Sequence, residues 1–144
     1  MQKQKTFSWR VISLALFIEI ISVFIVLSIF KIVDNRMWAA RLASLSFLVE
    51  CILLLGILWP WRYGGRGQLT FSSIAIFFFL SLFVLPMAAF RWTSDKSFIH
   101  MQWMGMDGPM IHNWSSIFYY VVVGATILDL IVAFYKGLPE VEES

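Results

Sequence analysis

Four apolar runs of about twenty residues each, separated by short polar segments, dominate the pattern along the chain. The runs cover 9–32, 38–59, 69–90 and 114–135. Each is long enough to cross a hydrocarbon layer of about 30 Å as a helix, which rises about 1.5 Å per residue. A membrane barrel needs alternating segments of about ten residues. These runs are continuous and twice that long, so helices are expected.

The punctuation agrees with this reading. Lys31 to Arg36 forms a tight polar turn between the first two runs, and Pro60 ends the second because proline cannot extend the hydrogen-bond ladder. Pro86 lies near the far end of the third run, where it frees the carbonyl of Leu82 and predicts a kink. Trp9, Trp38, Trp59, Trp61, Trp92 and Trp114 all fall at run ends, the level at which an amphipathic ring prefers to lie. The expected fold is therefore an all-α integral membrane protein. It is an antiparallel four-helix transmembrane bundle forming a single domain over 1–144, with a longer loop over 91–113 and a short acidic tail over 136–144.

Composition narrows the classes. With 60% hydrophobic and 14% charged residues, the chain has little more than half the charge density of an average soluble domain. A net charge of +2 with scattered basic residues excludes a nucleic-acid binder, which needs a clustered basic face. The single cysteine, Cys51, lies inside an apolar run, so neither an internal disulfide nor a cysteine-based metal site is available. Lys3, Lys5 and Arg10 precede the first run like the basic start of a signal peptide. The run is too long for one, and Lys31, Asp34 and Arg36 follow it instead of a small-residue cleavage site, so it is expected to be retained as a span. That basic start favours both termini on the cytoplasmic side, although the loops carry nearly balanced positive charge.

Two groups of residues carry candidate chemistry. The first is three carboxyls within the apolar runs, Glu19, Glu50 and Asp129. An ionisable residue at the bilayer centre costs about 2.5–3.5 kcal/mol on insertion scales, so they are expected to face inward. Ala15, Glu19 and Ser22 share one helix face, Ala43, Ser46 and Glu50 another, and Thr126 stands one turn from Asp129. The three acids read either as a proton or cation relay or as neutral acids that fix helix packing.

The second is the stretch over 98–114, FIHMQWMGMDGPMIHNW, which holds both histidines of the chain. His100, Met104, Met106, Met110 and His112 are a ligand set suited to copper, with Cu(I) favouring the thioether sulfurs. His100 and Met104 would share a helical face, as would Met106 and Met110. Turns at Gly105, Gly108 and Pro109 would fold His112 back toward His100, with Asp107 as a harder ligand. The same stretch, with Trp92, Met101, Trp103 and Ile111, also reads as a cover that packs on the helices and docks a partner.

No Gly-x-Ser-x-Gly, phosphate loop, Cys/His couple or in-span histidine is present, so a non-catalytic chain is expected. Three functions follow as expectations: an accessory subunit of a larger membrane complex, with the lipid bilayer and other membrane subunits as partners; proton or cation transport through the three acids; and copper binding by the loop.

Overall fold

A computed structural model describes residues 9–58, 71–96 and 98–137. Lys3 and Lys5, the connector with Trp59, Pro60, Trp61, Arg62 and Arg66, and the tail over 138–144 lie outside the described residues. Four helices make up nearly all of what is described: α1 (Trp9–Ile32), α2 (Arg36–Leu58), α3 (Phe71–Thr93) and α4 (Gly108–Gly137). All four are long and apolar enough to cross a membrane. α1 packs on α2 and α4, and α3 packs on α2 and α4.

The buried positions recur at spacings of three or four residues, the repeat that keeps one stripe of a helix against its neighbours. In α1 they are Ile12, Ala15, Glu19 and Ser22. In α4 they are Ile111, Ser115, Val122, Thr126 and Asp129, with Tyr119 half-buried in the same stripe. Small residues on these stripes, such as Ala15, Ala43 and Ser72, let the backbones approach closely. A cluster of rings fills the space between α2, α3 and α4. Phe79 stacks on Phe118 with centroids 6.3 Å apart, and Phe47 meets Tyr119 edge-on at 5.6 Å.

Three of the helix starts are fixed by side-chain oxygens. Asn35 Oδ1 accepts from the N–H of Met37 at 3.0 Å, so α2 starts at Arg36 and not at 38. Asp107 Oδ1 accepts from the N–H of Met110 at 3.0 Å. With this cap, and with Pro109 in the first turn where its missing N–H costs nothing, α4 starts at Gly108. The helix therefore begins well before 114, and the Gly108 and Pro109 pair is a helix start and not a loop turn. The third start, that of α3, is capped by Asp129.

Pro86 takes effect as a change of helical winding. Leu80–Val84 forms a π segment, with the N–H of Leu85 bonded to the carbonyl of Leu80, and the helix continues through Pro86 to Thr93. The carbonyl of Leu82, which proline cannot serve, accepts from Trp103 Nε1 at 3.1 Å. The break in α3 is thus the anchor point for the segment that crosses above it.

That segment is a cap and not a long loop. A 3-10 turn (Phe98–His100) leads into a short antiparallel hairpin of β1 (Gln102–Trp103) and β2 (Met106–Asp107), in which Trp103 pairs with Met106. Met104 and Gly105 form its two-residue turn with φ of 51° and 77°. Positive φ at both positions matches the right-handed twist of a hairpin. Glycine adopts it freely, whereas methionine does so at a cost.

Candidate functional site

The interior of the helix assembly holds two of the three acids in one network. Glu19 is 0% exposed and Glu50 4%. Glu19 Oε1 lies 2.6 Å from Thr126 Oγ1 on α4, and Glu50 Oε2 lies 2.5 Å from Ser22 Oγ on α1. Tyr119 of α4 joins the two acids. Its hydroxyl donates to the backbone carbonyl of Glu19 at 2.6 Å and stands 3.0 Å from Glu50 Oε1. The surrounding rings of Phe47 and Phe79 hold the tyrosine in place.

A count of hydrogens decides what this network can be. Tyr119 has one hydroxyl hydrogen, and the Glu19 carbonyl can only accept it. The close approach to Glu50 Oε1 is then a hydrogen bond if Glu50 supplies the hydrogen, that is, if Glu50 is a neutral acid. Thr126 differs, because its hydroxyl lies closer to Glu19 Oε1 than to the carbonyl of Val122, 3.0 Å away, and so it donates to the acid. Glu19 Oε2 is the buried side-chain oxygen that has no partner among the described residues. A carbonyl acceptor is the less costly group to leave unmatched, whereas an unpaired carboxylate charge at this position would be expensive.

Asp129 stands apart from this network. It is 7% exposed, and its two oxygens accept from the N–H groups of Phe71 and Ser72 at 3.1 and 2.7 Å. It therefore caps the first turn of α3 from a different helix, where backbone donors and the helix dipole both favour a negative charge. The structure brings Glu19 and Glu50 together and commits Asp129 to a helix end.

The residues considered as copper ligands are spread over different elements. His100 ends the 3-10 turn, Met104 sits at the hairpin tip, Met106 is on β2, and Met110 and His112 are on α4. The helical face expected to join His100 with Met104 does not form, because the chain turns at Met104 and Gly105. Asp107 is engaged as the cap of α4. Among the described residues no three His, Cys, Asp or Glu side chains group closely enough to hold a metal ion.

The residues considered for docking divide into two sets. Met101 and Ile111 are buried and anchor the cap in the core, so they cannot form its outer surface. Trp92 and Trp103 keep an exposed face, and Ile99, Met104 and Met110 complete the apolar surface that the cap presents. Beside it, Arg41 ties the helix ends together. Its Nε donates to the carbonyl of Arg91 at 2.7 Å, its Nη2 pairs with Asp95 at 3.2 Å, and its guanidinium lies over the rings of Trp38 and Trp92.

Sequence reasoning missed Tyr119. The signal was available in the spacing of Ser115, Tyr119, Thr126 and Asp129, all on one face of α4. The arrangement defines a chain of four membrane-length helices with an internal carboxyl and hydroxyl network and a structured apolar cap. Compared with known protein families, curated proteins and solved structures, the chain matches none.

Proposed function

We propose that this chain is a non-catalytic accessory subunit of a larger membrane complex. It lies in the bilayer as an antiparallel four-helix bundle with both termini on the cytoplasmic side, and it docks through the cap between α3 and α4. The observation that carries this reading is the construction of the cap. Ile99, Met104 and Met110 are exposed on a segment pinned by buried Met101 and Ile111 and by the Trp103 bond to Leu82. An apolar surface outside the bilayer is costly to leave in water, and one held rigid loses little entropy on binding. The fitting occupant is an apolar patch on the outer face of a larger membrane protein.

The test is solubilisation of the native protein in mild detergent, followed by cross-linking from position 104. A defined partner is expected to co-migrate and to be lost in Met104→Asp and Ile99→Asp. Migration as a lone monomer in the native sample would overturn the proposal.

Transport through the three acids has weaker support, because Asp129 is engaged at the start of α3 and only Glu19 and Glu50 share hydrogen bonds. Proton flux in proteoliposomes, abolished by Glu19→Gln and Glu50→Gln, would favour it over the accessory reading.

A further inference from the structure

Two cavities meet at the end of the molecule that carries the cap. The larger, of about 500 Å³, lies among all four helices. Its floor is formed by Glu19, Phe79 and Tyr119, and its rim by Phe30, Arg91 and His112. Floor and rim are about 16 Å apart along α1 at 1.5 Å per residue. Between them the walls are almost wholly apolar. Phe24, Leu27 and Tyr120 on the border are exposed, so the slot opens sideways between α1 and α4.

The smaller cavity, of about 260 Å³, continues from the rim, sharing Ala40 and Arg91 with the larger one. Arg36, Arg91 and Lys96 line it, and no acid does so among the described residues. Asp95, next to Lys96 in the chain, is paired with Arg41. A slot of hydrocarbon character that ends in a cluster of cations is complementary to one kind of molecule, an amphiphile with an anionic head. Guanidinium and ammonium groups bind phosphate strongly, and basic pockets between helices at the membrane surface suit lipid headgroups.

We infer that the joined cavities bind an anionic phospholipid, with its phosphate among Arg36, Arg91 and Lys96 and one hydrocarbon chain in the slot down to the level of Glu19. The inference rests on the membrane placement proposed above but not on the docking role of the cap.

Native mass spectrometry of the detergent-purified full chain tests it, with phosphatidylglycerol, phosphatidylcholine and inorganic phosphate as probes. Phosphatidylglycerol is expected to bind as a single molecule, at least tenfold more tightly than phosphatidylcholine. The double variant Arg36→Gln/Lys96→Gln changes two exposed residues, one at the start of α2 and one in the bend after α3, and should weaken phosphatidylglycerol at least tenfold while leaving phosphatidylcholine unchanged. Ser116→Trp, which places an indole in the slot from an exposed position on α4, should weaken both lipids. Equal binding of the two lipids, or no effect of the double variant, would overturn the inference. Displacement of the lipid by millimolar inorganic phosphate would do the same by reducing the site to an anion pocket. Flotation with vesicles reads membrane placement separately. A chain that floats without lipid preference overturns this inference alone, and one that does not float overturns both.

Discussion

Glu50 and Asp129 are both buried carboxyls on long apolar helices, yet they meet opposite kinds of partner. Asp129 faces two backbone N–H groups, which can only donate. Glu50 faces two hydroxyls, which can donate or accept, and one of these has its hydrogen committed to the carbonyl of Glu19. The first setting requires two acceptors and suits an ion. The second requires one acceptor and one donor and suits a neutral acid. The role of a buried acid in this chain is therefore set by the hydrogen-bonding character of its neighbours and not by its depth along the helix.

The largest test of that contrast is at Asp129. Asp129→Asn keeps the shape but turns an NH₂ toward a helix start that has only N–H groups to offer. Loss of the cap and of the interaction with the helix dipole is expected to cost about 2–3 kcal/mol. Equilibrium unfolding in mixed micelles measures it. A change below about 0.5 kcal/mol would mean that water or a neighbouring group serves Phe71 and Ser72 instead, and the contrast would fail on that side.

A smaller effect is expected at the junction of the network. Tyr119→Phe leaves the ring contacts with Phe47 and Phe79 in place but removes the hydroxyl shared by the Glu19 carbonyl and Glu50. The same unfolding measurement should show a loss of about 1–2 kcal/mol. Coupling to Glu50 should be visible in a double-mutant cycle, because residues within one hydrogen-bond network do not add independently. Strict additivity of Tyr119→Phe and Glu50→Ala, which removes the carboxyl altogether, would place the hydroxyl outside the network.

The legibility of these features in the sequence follows the range of the interactions involved. Four helices of membrane length, with Glu19 beside Ala15 and Ser22 on one face, are set by local periodicity and could be read directly. The loss of a hydrogen bond at Leu82 could be read from Pro86, since that effect lies within one helical turn. Its replacement by Trp103 could not, because the indole arrives from a separate segment. The cap is hidden in the sequence for a local reason. A helical spacing of His100 with Met104 competes with the turn at Gly105, and the turn prevails. The Asp107-Gly108-Pro109 sequence looks like a chain breaker, but as a cap followed by a first-turn proline it starts α4. By sequence Asp129 groups with the glutamates because all three lie in apolar runs, and only the packing of α4 against α3 shows that it reaches the start of a neighbouring helix.

The smallest expected effect is the most discriminating. Glu50→Gln replaces a neutral acid by a group of the same shape and the same hydrogen-bonding pattern. The amide oxygen accepts from Ser22, and the NH₂ donates to Tyr119, as the protonated Oε1 does. The change should therefore alter stability by less than about 1 kcal/mol, well below the loss at Asp129→Asn. Were Glu50 ionised, the same substitution would turn a donor toward a hydroxyl already donating, and it would remove a charge around which the site had been built. A loss as large as that of Asp129→Asn would mean that both carboxyls are ions. The hydrogen count at Tyr119 would then require a different arrangement, with the tyrosine donating to Glu50 and the Glu19 carbonyl left without it. An infrared band of a protonated carboxyl, present in the native chain and lost in Glu50→Gln, separates these two cases independently of stability.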